Sequence, residues 1–365
     1  MKKIRVLFTG LSNNMGGIES FLINIYRNID KDKFDVSFLI FKGEKVCFYD
    51  ELKKNGVKFF EITKRKSNYL KFISDLKNVF KNNEFDFIHF NLVNFNCTER
   101  ILIANKYSKA KIIIHSHNGN IEKSLKNKIL HTIGKISLRK VNYIALACGE
   151  EAGRFLFNNN NFKVINNGIN FENYMYDEKI RKQYQKELKI GNSFVMGLIA
   201  RFDDQKNHEF LIDIFEEYLK LNDNAKLVLI GEGRLLPQIK NKVREVKIED
   251  KVIFLGRRAD ANKLYSLFDI YIMPSKFEGL SISIVEAQVN GLTCYTSNNV
   301  DRKSNISGNV KFLDLNMKAK EWAKIIYEEN NKRDMEIVNK IPKEYDIRNT
   351  VCELTEIYRK NMEEL

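Results

Sequence analysis

Two doubly wound α/β domains, each a Rossmann-like parallel sheet covered by helices, are predicted for this sequence on three observations. Short runs rich in Val, Ile, Leu and Phe alternate with longer stretches of helical period, the pattern of repeated βα units. The chain has 365 residues, more than twice the ~150 residues of an ordinary domain. The alternation is broken once, by an Asn-Gly turn and a charged segment between Asn167 and Tyr176, which reads as a hinge.

Before that break the strand candidates are "IRVLFT", "FDVSFLIF", "VKFFEI", "FDFIHF", "KIIIH", "YIALAC" and "FKVIN". After it come "SFVMGLIA", "AKLVLIG", "KVIFLG", "DIYIMP" and "LTCYT", and the chain ends in the amphipathic segment "IRNTVCELTEIYRKNMEEL". The expected division is residues 1–168, residues 169–345 and a terminal helix over 346–365.

Composition narrows the class. Charged residues make up 30% of the chain and no apolar run approaches the ~18 residues of a membrane span. The opening "MKKIRVLFTGLSNN" has a basic start, but its apolar segment is too short for a signal peptide and reads as a first strand. Five scattered cysteines (Cys47, Cys97, Cys148, Cys294 and Cys352), with no C-x-x-C, point to neither a disulfide framework nor a zinc site, and to the cytoplasm as compartment. A net charge of +14 implies an anionic partner: nucleic acid, a phosphorylated metabolite or an acidic membrane.

Ligands of open α/β sheets bind beyond the carboxyl ends of the strands, where loops and helix N-termini converge. The unusual residues of this chain fall there. Gly16 and Gly17 follow the first strand, and His115 and His117 end "KIIIHSHN". Arg201 and Lys206 follow "FVMGLIA", Gly231 and Gly233 follow "KLVLI", Gly256 and Arg257 follow "KVIFL", and "PSKFEGLS" follows "DIYIM". Two such edges facing each other would make a cleft. The Gly10 to Gly16 spacing is not that of a dinucleotide fingerprint.

The set "GGIE", "HSHN", "NNGIN", "ARFDDQKNH", "LIGEGR", "VIFLGRR" and "PSKFEGLSISIVEAQVNGL", in this order, resembles the retaining glycosyltransferases of family 4, of GT-B fold, and most of all the branch that builds capsular and extracellular polysaccharides. The likeness spans nearly the whole chain and is most specific between residues 198 and 291. It implies that the first domain binds acceptor, the second binds nucleotide-sugar, and the terminal helix packs back towards the first. It further implies a UDP-sugar donor, a lipid-linked saccharide acceptor and transfer of a hexose or N-acetylhexosamine without a metal or other cofactor.

Arg201 and Lys206 suit a diphosphate, because Arg clamps two oxygens in a fork and Lys adds a compact charge. They are expected to stabilise the charge that builds on the departing pyrophosphate. The one D-x-D, "DKD" at Asp30 to Asp32, lies between a helix and the next strand and reads as a solvated turn rather than a metal site. Glu278 and Glu286 form the E-x7-E pattern. Glu286, flanked by apolar residues, needs hydrogen-bond donors; the resemblance assigns it the ribose and gives Glu278 the donor sugar, while a neighbouring Lys is the plainer partner. A glycosidase carboxylate pair fits poorly beside a pyrophosphate clamp. The amides of Glu278, Gly279, Leu280 and Ser281 lead into a helix and can add to phosphate binding.

His117 is the candidate beside the reacting carbon, with its alignment relative to His115 left open. Gly16 and Gly17, like Gly231 and Gly233, are expected where backbone nears the ligand or needs φ > 0; Gly256 and Arg257 would pack beside the base. Residues 122–143 place Leu125, Ile129, Ile133 and Ile136 at helical spacing among Lys123, Lys126, Lys128, Lys135, Arg139 and Lys140. Such a helix either docks on an anionic membrane, at the inner face of the cell membrane, or turns an apolar face to the core. A nucleic-acid-binding role lacks any RRM, KH or zinc-finger signature. A catalytically silent GT-B subunit is the alternative, since Thr293 in "NGLTCY" replaces the Pro often found in relatives.

Overall fold

The computed structural model describes residues 2–13, 16–117, 125–158, 161–329 and 331–362. Asn118 of the histidine motif and Lys123 of the basic segment lie outside the described residues. The chain divides into two units, Met1–Ile169 with Glu344–Leu365, and Asn170–Lys343.

The first unit holds a seven-stranded sheet: β1 (Ile4–Thr9), β2 (Phe34–Phe41), β3 (Lys58–Ile62), β4 (Phe87–Leu92), β5 (Lys111–Ser116), β6 (Tyr143–Ala147) and β7 (Lys163–Val164). Their order is β3-β2-β1-β4-β5-β6-β7, and every pairing is parallel. A parallel sheet is covered on both faces, so its central strands are apolar almost throughout; all six residues of β4 are buried. One face packs under the helix Gly17–Asn28 through Phe21, Leu22 and Ile25. The terminal helix Ile347–Met362 joins the same core with Ile347, Leu354 and Tyr358. Its entry is fixed by a bridge between Ile169 and Asp346 and by Thr350 Oγ1 donating to Asn166 O at 3.0 Å.

The second unit holds a six-stranded parallel sheet of order β10-β9-β8-β11-β12-β13. Its strands are β8 (Phe194–Ile199), β9 (Ala225–Ile230), β10 (Val252–Gly256), β11 (Ile270–Met273), β12 (Thr293–Ser297) and β13 (Val310–Leu313). Its core includes the fully buried Trp322, Tyr265 and Tyr271. The strand β13 was not among the expected ones: it is a four-residue edge strand in which only Val310 is buried, too short to show a pattern.

The helix Leu125–Ser137 departs from the usual rule that an apolar stripe faces the core. It seats itself by His131 and Gly134, and a Cβ at Gly134 would lie 2.0 Å from Phe95 O. Leu125, Ile129, Ile133 and Ile136 are instead 51–73% exposed. The core-facing reading of this row is therefore corrected. Among the described residues no helix is long and apolar enough to cross a membrane.

Candidate functional site

In the second unit the strand order reverses between β8 and β11, the place where a doubly wound sheet opens a crevice. The loops after these two strands carry the charged candidates and are tied together. Lys276 N donates to Gln205 O at 2.8 Å, Gln205 Nε2 to Phe277 O at 3.1 Å, and Asn207 Nδ2 to Pro274 O at 3.1 Å. This brings Lys206 Nζ onto Glu278 Oε2 as an ion pair, each side chain 17% exposed. Arg201 is placed differently: its side chain is 65% exposed and its Nε donates to Asp203 Oδ2 at 2.6 Å. Asp203 also accepts from Lys206 N at 3.2 Å, so one carboxylate restrains both candidates. Each cation thus has a carboxylate of its own.

Gly231 and Gly233 have φ of +137° and +156°. A Cβ on Gly231 would lie 2.0 Å from Ala200 O, and one on Gly233 2.4 Å from Phe202 O. The positive φ expected at these glycines is present, and the close approach that requires them in this structure is that of the chain around Arg201. Arg234 of the same loop pairs with Asp204. Gly256 ends β10 at φ +63° with open space at its Cβ position, and Arg257 beside it is exposed. Gly279 is exposed, Leu280 half-buried, and buried Ser281 caps the helix Ile282–Val289.

Glu286 lies in that helix. Both its oxygens are occupied, Oε1 by Tyr174 Oη at 2.8 Å and Oε2 by Tyr265 Oη at 2.7 Å. The plainer expectation of a lysine partner is corrected, since it is Glu278 that takes the lysine. Burial raises the Glu286 carboxyl above the usual range, and the two phenols oppose that rise.

In the first unit the order reverses between β1 and β4. Gly16 is extended (φ −153°) as N-cap of the helix Gly17–Asn28, and a Cβ on Gly17 would meet nothing within 4 Å. Neither glycine is needed for a left-handed backbone, which corrects that part of the expectation, but Gly17 leaves open space. His115 lies one residue before the end of β5 and is fully buried, and His117 follows the strand half-buried. Their ring centres lie 4.3 Å apart, tilted by 32°, so they share a face, and Phe21 packs against both. Asn91 Nδ2 donates to Thr9 O at 2.9 Å, which turns its Oδ1 to His117 Nε2 at 2.8 Å. His117 Nε2 therefore carries the proton, and Nδ1 is left as a buried acceptor without a partner among the described residues. Burial pushes His117 down to about 3, which keeps it neutral. The "DKD" turn lies between the helix Gly17–Asn28 and β2, with Asp30 paired to Lys33 at 2.7 Å.

Residues 15–173 match the family model of glycosyltransferase family 4, and residues 179–326 that of glycosyl transferases group 1. The chain is 32% identical over 335 residues to EpsF of Bacillus subtilis (strain 168), a proposed glycosyltransferase, across 88% of this chain and 86% of that one. The chain belongs to the glycosyltransferases. This glycosyltransferase is also 23% identical over 323 residues to the UDP-Gal:alpha-D-GlcNAc-diphosphoundecaprenol alpha-1,3-galactosyltransferase of Escherichia coli, across 81% and 80% of the two chains. Among solved structures, Anabaena HepE in complex with UDP and glucose matches it with a TM-score of 0.78 at 17% identity, over 97% of this chain and 99% of that one. The fold is GT-B, two parallel-sheet Rossmann-like domains.

Three residues that contact these candidates carried no signal of their own in the sequence. Tyr174 falls within the segment read as a hinge and Tyr265 within no stretch singled out in the sequence, yet they meet at one carboxylate across separations of 112 and 21 positions. Asp203 lies within "ARFDDQKNH" with nothing to set it apart from Asp204 beside it.

Proposed function

We propose that this glycosyltransferase is a metal-independent, retaining enzyme that moves a hexose or N-acetylhexosamine from a UDP-sugar to a lipid-linked saccharide in surface polysaccharide synthesis. The observation that carries this reading is the placing of Lys206 and Arg201 after β8, beside the Glu278 loop, each held by a carboxylate until a diphosphate replaces it. UDP as the nucleotide is supported by the UDP bound to the Anabaena neighbour, and the lipid-linked acceptor by the name of the Escherichia coli relative.

In the reaction the bond from the sugar's anomeric carbon to the β-phosphate oxygen breaks, and a bond to an acceptor hydroxyl forms on the same face. The acceptor's proton passes to the leaving phosphate oxygen, so the charges balance without a protein nucleophile. Arg201 and Lys206 stabilise the departing UDP as preorganised cations, which is where such groups contribute most. Glu286, held by Tyr174 and Tyr265, accepts from the ribose hydroxyls, for which a carboxylate has lone pairs to spare beyond the two phenols. Glu278, released from Lys206, accepts from donor-sugar hydroxyls. Gly231, Gly233, Gly256 and Arg257 border the base and phosphates, the Gly279 and Leu280 amides add to phosphate binding at a helix N-terminus, the expected Ser281 amide being instead given to Ser304 Oγ at 3.1 Å, and the Gly16–Gly17 turn leaves room for phosphate and acceptor. His117, neutral and with an Nδ1 that has no partner among the described residues, takes a sugar hydroxyl.

Peripheral contact with an anionic membrane completes the reading, with the helix Leu125–Ser137 as the docking element at the cytoplasmic face. At ~100° per residue, Leu125, Ile129, Ile133 and Ile136 fall within an arc of roughly 80°, on the side away from His131 and Gly134. Lys126 flanks one side of the arc and Lys128 the other, which suits acyl chains below and anionic headgroups beside. Flotation with anionic vesicles should recover the protein at low salt and progressively less as salt rises, with Ile129→Asp/Ile133→Asp abolishing recovery. Failure of the unaltered protein to float at low salt would remove the membrane contact.

The enzymatic reading is tested by a thermal-shift panel of nucleotide sugars followed by turnover with the stabilising one. UDP-sugars should raise Tm and release UDP in the presence of lipid-linked acceptor. Stabilisation without any release of UDP, in hydrolysis or transfer, would favour the silent subunit.

A further inference from the structure

Beside the exposed row of the helix Leu125–Ser137 the first unit holds a cavity of about 600 Å³. Its walls come from that helix, from β6 and from the helix Glu150–Phe157. The floor is apolar and buried, with Phe95, Leu138, Leu156 and Phe157. The rim is polar: Lys135 is half-buried there, and Arg139, Asn142 and Asn161 are exposed. Ile136, 54% exposed, belongs both to the cavity wall and to the apolar row.

Charge decides what such a cavity can take. Among the described residues no carboxylate lines it. Lys135 Nζ donates instead to two neutral oxygens, Phe155 O and Asn158 Oδ1, each at 2.8 Å. Burial pulls its ammonium below the ordinary lysine range, as expected where no anion offsets the lost solvent. Arg139 has no ion-pair partner among the described residues. Both differ in this from Lys206 and Arg201, each of which keeps a carboxylate. A guanidinium and an ammonium without carboxylates of their own suit a phosphate, the first as a fork for two oxygens and the second as a compact charge. Inorganic phosphate would leave the apolar floor against water, whereas an acyl chain carried by the same phosphate covers it.

We infer that the cavity binds one anionic phospholipid, with its phosphate on Arg139 and Lys135 and the glycerol end of its acyl chains on the floor of Phe95, Leu138, Leu156 and Phe157. The inference deepens the membrane-docking reading of the helix Leu125–Ser137, on which it rests for the choice of occupant. At ~100° per residue, Thr132 and Lys135 lie on the Lys128 side of the apolar arc, so the cavity wall runs directly into the face assigned to acyl chains. Docking then has two parts. Exposed lysines attract the surface diffusely, an effect that salt screens, and a single lipid taken into the cavity fixes the helix at one depth and orientation.

A lipid that needs no bilayer separates the cavity from the membrane contact. Calorimetric titration of dihexanoyl phosphatidylglycerol, kept below the concentration at which it forms micelles, into the full chain should show saturable binding of one lipid per chain. Arg139→Ala, at an exposed position that leaves the core intact, should weaken it about tenfold. Lys140→Ala removes the same charge one position away, outside the cavity, and should weaken it by less than about twofold. Dihexanoyl phosphatidylcholine, whose head carries no net charge, and inorganic phosphate, which has no chain, should each bind at least about tenfold more weakly than the phosphatidylglycerol. Saturating UDP should displace none of it. Absence of saturable binding, equal affinity for either control, displacement by UDP, or an affinity in Arg139→Ala no lower than in Lys140→Ala would each overturn the inference. Binding of the soluble lipid by a protein that does not float with anionic vesicles would remove the membrane contact and leave the cavity its lipid, whereas flotation without such binding would remove the cavity site and leave the contact.

Discussion

The two units hold their candidate residues ready in opposite ways. In the second, four cations of the site loops are each matched by a carboxylate: Lys206 by Glu278, Arg201 by Asp203, Arg234 by Asp204 and Arg258 by Asp260. In the first, charge is excluded: His89 and His117 are pushed down to about 3 by burial, and His115 is held well below its ordinary value. The lesson is one of exchange against exclusion. A carboxylate on an exposed or half-buried cation is a replaceable ligand, because such pairs contribute little net stability, and an incoming diphosphate can take its place. A buried neutral ring cannot exchange its partner so easily; it offers a fixed lone pair instead.

The largest effects should come from breaking the exchange. Lys206→Ala removes a cation aimed at the leaving phosphate and leaves Glu278 unpaired, and should lower kcat by roughly 100-fold to 1000-fold. Arg201→Ala should fall in the same range, while Asp203→Asn, which frees the guanidinium, should change nucleotide affinity less than either. Steady-state release of UDP measures all three, and near-normal turnover in Lys206→Ala would break the contrast between the units.

Next comes the clamp on Glu286. Glu286→Gln loses a charged acceptor and should weaken UDP binding about tenfold, with Tyr265→Phe a smaller step in the same direction. Titration calorimetry reads both, and a larger loss in Tyr265→Phe than in Glu286→Gln would mean that the phenol, not the carboxylate, meets the nucleotide.

A subtler test uses acid. All five histidines of the chain are depressed by burial, with His131 and His208 pushed down to about 4. A folded pKa below the unfolded value near 6.5 gives stability that is complete above about pH 6.5 and lost as pH falls towards the folded pKa, at ~1.4 kcal/mol per pH unit for each histidine. Glu286, raised by burial, works the other way, since its folded form takes a proton first and gains as pH drops towards its ordinary value. Four of the histidines belong to the first unit and one to the second. Between pH 7 and pH 5 hydrogen exchange should therefore accelerate more in the first unit than in the second; equal acceleration would contradict the exclusion of charge.

The same contrast explains what could be read from the sequence. All twelve strand candidates appear, because parallel strands buried on both faces spell themselves as apolar runs; only the half-exposed edge strand β13 went unseen. Arg201, Lys206, Glu278 and Glu286 were legible because charge placed just after an apolar run is conspicuous. Their partners were harder. Asp203 is one acid among many, and Tyr174 and Tyr265 are aromatic residues of the kind that fill cores, so their convergence on Glu286 exists only in the folded chain. His89 was hidden for the same reason: inside "FDFIHF" it reads as one more strand residue, and its place between Tyr358 and His115 needs a helix that follows some 260 residues later in the sequence to be folded against it.

The most direct measurement is calorimetric titration of UDP, in the presence of a chelator, into the unaltered protein and into Arg201→Ala and Lys206→Ala. The account predicts that binding persists without divalent ions and weakens at least tenfold in each variant. Binding that disappears with the chelator and returns with a divalent ion, or that is equal in all three proteins, would contradict it.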